Sequence, residues 1–334
     1  MRSTSSIALA LALFACQAQA DPFRLVITDM EPPLVPNSIV DIAQAGGYFA
    51  REGVEVELVR LQQTPMALAA LMSGSGEMAN VATENLLALI ATGNDDLRVV
   101  ASPDKTLPYL IAGREGIDLD GLAGESFGIG RIGSLDHGLS LKVLQARGVP
   151  VEDLSLVALG QPSIRAQALA AGQIGATTMS IGTYLSLPGH ERLPVLVSAP
   201  EYRAAAPVVT KVNVVTTRVL ASRGPEIEAV IRALTLAARD MAASPDAWAD
   251  AMEPLRPDVP RATLDTLGAA FIDSWATNGG IQADELAATA DWLWKTEAFR
   301  DLPPPALQDW VDFTPADRAL DAIGIVDGPD SHSR

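Results

Sequence analysis

The sequence predicts an α/β protein of two domains with mainly parallel sheets, joined by two crossing strands and followed by a helical tail. Three observations carry that prediction. Short apolar or alternating runs exchange with helical patterns through most of the chain, which is the signature of strands covered on both faces by helices. Two extended runs, Tyr109 to Ala112 and Lys211 to Thr217, stand where a chain would cross into a second domain and return. Everything after Pro225 repeats at helical spacing. With 334 residues, 48% of them hydrophobic, two separate cores can form. The expected division is 21–110 with 213–330 as one domain and 111–212 as the other.

Taken in order, Arg24 to Thr28 is a strand that ends in the polar loop Asp29-Met30-Glu31-Pro32-Pro33. Ile39, Ile42 and Ala43 form the stripe of a helix, and Gly53 stops the segment before the alternating strand Val54 to Leu61. Pro65 to Met72 is a helix, Met78 to Ala82 a strand, and Glu84 to Ala91 a helix with Thr83 as its cap. Leu97 to Ser102 is a buried strand. The second domain holds strands beginning at Phe127, Leu154, Ala176 and Pro194. Its helices run to Arg147, from Ile164 to Ala171 and around Thr183 to Leu187. The tail reads as four helices: Glu226 to Ala243, Asp246 to Glu253, Ala262 to Thr277 and Asp284 to Thr296.

The first twenty residues have the form of a secretory signal. Arg2 gives the positive start, Ile7 to Phe14 the apolar stretch, and Ala18-Gln19-Ala20 the small-residue cleavage site. Cleavage after Ala20 is expected, with a lipid anchor on Cys16 as the alternative. Cys16 is the only cysteine, so thiolate metal sites and disulfides are excluded from the mature chain. A net charge of −17 argues against a nucleic-acid partner. The three histidines, His137, His190 and His332, are not at metal-ligand spacing, and no nucleophile or phosphate-loop motif is present. No enzyme activity, cofactor or metal is expected.

A small ligand is expected where Phe127 to Ile132 breaks at Gly133 and opens a helix through Ser134, Leu135, Asp136 and His137. Gly133 lets the backbone turn, and Ser134 and Asp136 are cap residues. A helix start offers free N–H groups to a ligand. Strand–glycine–helix junctions are common and most bind nothing. Ligands of open α/β sheets lie beyond the carboxyl ends of the strands. That rule adds Thr28 to Pro32, with Met30 and Glu31 foremost, then Gln63, Thr64, Thr83 and Glu84, and in the second domain Ser180 and Thr183. For Thr83 the competing reading is a plain helix cap, for Glu84 a helix-dipole partner, and for His137 a packed first-turn residue. Asp136 would repel an anion unless turned away as a cap or matched by a zwitterion. Trp275, Trp292 and Trp294 lie at core-like helical spacing.

Gly47-Tyr48-Phe49-Ala50-Arg51-Glu52-Gly53, the step from Ala69 to Ala79, the turn and strand from Leu122 to Ser134, and Ala168 to Thr177 together resemble one family. It is that of bacterial solute-binding proteins for nitrate, sulfonate, taurine and thiamine-precursor transporters. The resemblance runs from about Leu25 to Thr217. It implies a type II periplasmic binding fold whose two lobes close on a ligand, an ABC permease as partner, a periplasmic location and a monomer. It also implies that Ser134 and neighbouring N–H groups grip an anionic or carbonyl end. The ligand expected on this basis is an organic anion or zwitterion such as a sulfonate, with a pyrimidine or aromatic carboxylate as the alternative. A ligand-sensing partner of a membrane kinase would use the same fold.

Overall fold

The computed structural model describes residues 21–103, 105, 109–132 and 134–330, without the side chain of Leu135. The expected export signal and Cys16 lie outside the described residues, as does Gly133.

The first lobe begins with β1 (Phe23–Ile27), α1 (Ile39–Ala45), α2 (Tyr48–Arg51), β2 (Val56–Arg60), α3 (Thr64–Met72), β3 (Met78–Ala82), α4 (Thr83–Ala91) and β4 (Leu97–Ala101). The chain then crosses into β5 (Tyr109–Gly113), β6 (Ser126–Ile129), α5 (Leu135–Ala146), β7 (Ser155–Ala158) and α6 (Pro162–Ala170). β8 (Ala176–Ser180), α7 (Ile181–Leu185), β9 (Val195–Val197) and α8 (Ala199–Ala205) complete the second lobe. It returns through β10 (Lys211–Thr216) and ends in α9 (Thr217–Ser222), α10 (Gly224–Ala242), α11 (Pro245–Met252), α12 (Arg261–Phe271), α13 (Ala283–Leu293) and α14 (Thr314–Ile323).

Two five-stranded sheets result, ordered β2-β1-β3-β10-β4 and β7-β6-β8-β5-β9. β1 pairs parallel to β2 and β3, while β10 is antiparallel to both β3 and β4. The second sheet repeats the plan, with β6 parallel to β7 and β8, and β5 antiparallel to β8 and β9. Each sheet is therefore mainly parallel with one reversed strand, and that strand is the one arriving from the other lobe. The arrival point fixes which residues face the gap. Lys211, the first residue of β10, pairs with Ala82 at the end of β3, and Tyr109 pairs with Ser180 at the end of β8. Both crossing strands thus begin at the carboxyl edge of their sheet.

One apolar cluster joins the first sheet to the tail helices, with Trp248, Phe271 and Trp275 fully buried in it. The Trp248 indole donates to Ser38 Oγ at 2.9 Å, which ties α11 to the start of α1. The second sheet has one cluster on each face. Trp292 on α13 packs against the tail core and against the second lobe's core, a bridge rather than a simple core position.

The chain departs from the sequence reading in several places. α8, α9 and α14 were not expected, and the tail is not wholly helical. Val99 N–H donates to Trp310 O and Asp312 N–H to Val99 O, so residues 310–312 lie along β4. Ala82, not Thr83, is the extended residue before α4, because β3 runs directly into the helix without a loop. Gly53 does stop its segment in the left-handed region, at φ 75°.

Candidate functional site

Between the carboxyl edges of the two sheets lies a cavity of about 1140 Å³ with walls from both lobes and from the tail. Its first wall is the loop after β1. Thr28, Asp29, Met30 and Glu31 line it together with Asn37 and Lys211. Lys211 Nζ donates to Asp29 Oδ2 at 3.0 Å and to Thr28 Oγ1 at 3.1 Å, and Asn37 Nδ2 donates to the same Asp29 oxygen at 3.1 Å. Arg60 Nη1 donates to Asp29 O at 2.9 Å and holds the loop to β2. Burial pushes the Asp41 carboxyl up despite its pairing with Arg60.

The second wall is built on α6 and the start of α5. Arg165 is 4% exposed and lines the cavity. Its Nη1 donates to Gly160 O at 2.8 Å and lies 3.2 Å from Asp136 Oδ2, while Nη2 donates to Thr178 O at 3.2 Å. Asp136 is drawn back toward the sheet, accepting Gly130 N–H at 2.8 Å and the Ser134 hydroxyl at 2.5 Å. The Asp136 carboxylate is thus matched by the Arg165 guanidinium and by the strand-end amide of Gly130. Ser134 occupies the N-cap position, but its hydroxyl accepts no helix N–H and reaches Arg131 O and Asp136 instead.

Ser180 caps α7, accepting Thr183 N–H at 3.0 Å, and the two hydroxyls lie 2.9 Å apart on the cavity wall. Tyr109 and Tyr202 meet edge to face, with centroids 5.9 Å apart. Burial raises the Tyr202 phenol far above its ordinary value, so it stays protonated. Arg256, just after α11, brings the tail into the cavity and donates to Pro32 O at 2.9 Å.

Of the sequence-predicted residues, Thr28, Met30, Glu31, Ser134, Asp136, Ser180 and Thr183 line the cavity. Thr64, Thr83, Glu84 and His137 do not. The Thr64 hydroxyl accepts Ala82 N–H at 3.2 Å, leaving its neighbour Gln63 at the wall. Thr83 is 1% exposed, turned inside by the direct entry of β3 into α4. Gly133 lies outside the described residues, and for Leu135 only the backbone is described.

Asp29, inside the loop Thr28 to Pro32 that the strand-end rule selects, also lines the cavity, whereas sequence reasoning missed Asn37, Tyr109, Lys211, Arg165, Tyr202 and Arg256. Lys211 and Tyr109 had a usable signal, because the first residue of a reversed crossing strand sits at the same edge as the ends of its parallel neighbours. Among described lining residues, four cations (Arg131, Arg165, Lys211, Arg256) face three carboxylates (Asp29, Glu31, Asp136), whereas the chain as a whole carries −17. Among the described residues, no group of three or more His, Cys, Asp or Glu is placed to hold a metal ion. None of the described helices is long and apolar enough to cross a membrane.

Solved structures share this fold. The ligand-binding component of an ABC-type import system from Staphylococcus aureus, with zinc bound, superposes with a TM-score of 0.70 at 17% identity, over 89% of this chain and 98% of that one. The alkanesulfonate-binding protein SsuA from Xanthomonas axonopodis pv. citri bound to MOPS gives 0.65 at 20% identity, over 88% and 100%. The periplasmic nitrate-binding protein NrtA from Synechocystis PCC 6803 gives 0.66 at 12%, over 94% and 92%. At these identities the likeness establishes the fold, that of the type II periplasmic binding proteins. No curated protein matches by sequence. The family model described as NMT1/THI5 like matches residues 38–248, most of both lobes, and the chain belongs to that family.

Proposed function

We propose that this chain is the extracytoplasmic receptor of an ABC importer and takes up one small polar organic anion or zwitterion, a sulfonate first among them, between its lobes. The carrying observation is the charge distribution. A protein with a net charge of −17 places four cations on one cavity wall system, against three carboxylates. Arg256 is also paired with Asp258 just outside the lining, so the cleft is close to neutral within a strongly acidic chain, and an entering anion meets far less repulsion there than at the surrounding surface.

The solved relatives support the class of guest. By name, one binds alkanesulfonates and was captured with MOPS, another binds nitrate, and a third is a component of an import system. Binding alone accounts for the site. Asp136 is engaged with Arg165 and Gly130, and Asp29 with Lys211 and Asn37, so neither is poised as a general base. Closure of the lobes on the guest would present the loaded receptor to its permease. The signal-like start at Arg2 to Ala20 is consistent with export.

A thermal-shift screen of alkanesulfonates, nitrate, aromatic carboxylates and pyrimidines tests the reading. A saturating ligand at ~100 times its Kd adds roughly 2.7 kcal/mol to the stability of the folded state. Stabilisation by sulfonates or carboxylates is expected. A response confined to uncharged pyrimidines, or conversion of a compound during incubation, contradicts it.

A further inference from the structure

Trp292 touches both lobes without lining the cleft. Gly138 on α5 comes so near that a Cβ there would stand 3.4 Å from Trp292 Cζ2. The rest of α13 explains why a tail helix stands in that place. Leu286 and Leu293, two turns apart, are buried in the core shared by the first sheet and the tail, which fixes the helix to the first lobe. Glu285, Thr289 and Trp292 follow one another at helical spacing on the neighbouring stripe. Each of these three meets a part of the chain that leads to the second lobe or belongs to it.

Glu285 receives Lys105, from the crossing between β4 and β5. The Lys105 side chain is 2% exposed, and its Nζ donates to Gly280 O and Gln282 Oε1, both at 3.2 Å, as well as to Glu285 Oε2. An ammonium has three protons, so all of them are spent on α13 and the turn before it. The backbone of the same crossing is held there too, with Ser102 N–H donating to Gly279 O at 3.0 Å and Lys105 N–H to Ser274 O at 2.9 Å. Thr289 receives the other crossing. Its buried Oγ1 accepts Val209 N–H at 3.0 Å, just ahead of β10. One helix therefore holds both chains that join the lobes and leans on the second lobe beyond them.

Two extended crossings by themselves leave a pair of lobes free to swing, because a hinge moves by dihedral changes in a few residues. We propose that α13 is a splint across the hinge: anchored in the first lobe, it grips both crossings and, through Trp292, props the second lobe, so that residues outside the cleft set the range of lobe opening. The inference uses no property of the ligand. Its consequence for a receptor is that affinity scales with the fraction of molecules in the binding-competent arrangement, so a splint that narrows the range tunes affinity without touching the guest.

The test is made on the unliganded protein. Spin labels on Glu57→Cys in β2 and Glu152→Cys between α5 and β7, both exposed and in opposite lobes, report the lobe-to-lobe distance distribution by pulsed electron paramagnetic resonance. Cys16→Ser leaves no other thiol. A single narrow distribution is expected for this background. Trp292→Ala is expected to widen it at least about twofold, and Thr289→Val, which removes the acceptor for Val209, to widen it less. Trp294→Ala is the control, because that indole donates to Leu302 O at 2.9 Å and packs only in the core of the first sheet and tail. Its loss should lower the melting temperature with the width unchanged. Unchanged width in both Trp292→Ala and Thr289→Val overturns the splint, and if Trp292→Ala does not fold, unchanged width in Thr289→Val alone does so. Equal widening by Trp294→Ala also overturns it, since the effect would then be a general loosening of the tail. With no ligand present, any of these results leaves the receptor reading as it stands.

Discussion

Gly182, at the start of α7 in the second lobe, approaches the loop after β1 so closely that a Cβ on it would stand 2.7 Å from the Leu34 carbonyl oxygen and 2.8 Å from the Leu34 Cβ. The two lobes touch here through backbone, next to the capped pair Ser180 and Thr183. Gly182 is not in the left-handed region, so the constraint is the contact and not the dihedral. Gly182→Ala should therefore act as a wedge. Forcing one methyl into a filled contact costs about 1–3 kcal/mol, and the lobes can relieve it by separating. The expected result is weaker ligand binding with only a modest fall in unliganded melting temperature; calorimetry giving an unchanged Kd would place the closing contact elsewhere.

Lys211 stands at the head of the returning strand and grips Asp29 and Thr28. Its side chain is 24% exposed and that of Asp29 30%, so the pair contributes little to stability, about 0–1 kcal/mol. Its charge should matter more to the guest than to the fold. Lys211→Met is expected to reduce affinity for a sulfonate by at least about tenfold, the lower range for losing a charged hydrogen bond, while shifting the melting temperature slightly. A Kd like that of the wild type, measured by calorimetry, would remove Lys211 from the binding account.

Glu77 offers a pH test away from the cleft. Burial penalises its charged form, but Arg24, which donates to both carboxylate oxygens, and Arg223 at 3.5 Å outweigh that and hold the carboxyl below its ordinary value of 4.5. A depressed carboxylate stabilises the fold above its unfolded value, and the contribution disappears as the pH falls through the folded one. Glu77→Gln should thus lower stability by roughly 1–3 kcal/mol at neutral pH, with a deficit that narrows progressively once the pH drops below about 4.5. Chemical denaturation at several pH values reads this directly, and a constant deficit across the series would show that the charge is not the cause.

Near the C-terminus, Asp330 is 4% exposed and accepts Thr277 Oγ1 at 2.9 Å, Asn278 N–H at 2.8 Å and Gly280 N–H at 2.8 Å. One carboxylate clasps the end of the chain onto the turn between α12 and α13. Asp330→Ala leaves those donors buried and unanswered, at about 1–3 kcal/mol or more in total. Thermal unfolding should show that loss with ligand affinity retained, a control separating stability from binding; a comparable loss of affinity would mean that the clasp shapes the cleft.

The alternation of strand and helix was legible from Phe23 to Thr216 because both periods are written in consecutive residues: Val54, Val56 and Leu58 for one, Ile39, Ile42 and Ala43 for the other. α8 was legible in principle, since Ser198 and Glu201 form a capping box with Pro200 in the first turn, but its seven residues are too few for a periodic stripe. Residues at strand ends such as Thr28 and Ser180 reached the cavity wall by the strand-end rule alone. Arg165 could not be found that way. A lone arginine inside a short helix looks like a solvated side chain, and only the packing of α6 against β8 turns it inward, where Thr178, Gly160 and Asp136 receive it. Arg256 was hidden for the same reason, because nothing local says that the tail returns to the first loop.

The central claim is that one guest is held by both lobes at once. Hydrogen–deuterium exchange, with and without the sulfonate that gives the largest thermal shift, measures this most directly. The account predicts slower exchange in two separated segments together, the first-lobe loop 28–37 and the second-lobe wall 160–167, with the tail helices little changed. Protection confined to one lobe, or lying away from both segments at saturating ligand, would contradict it.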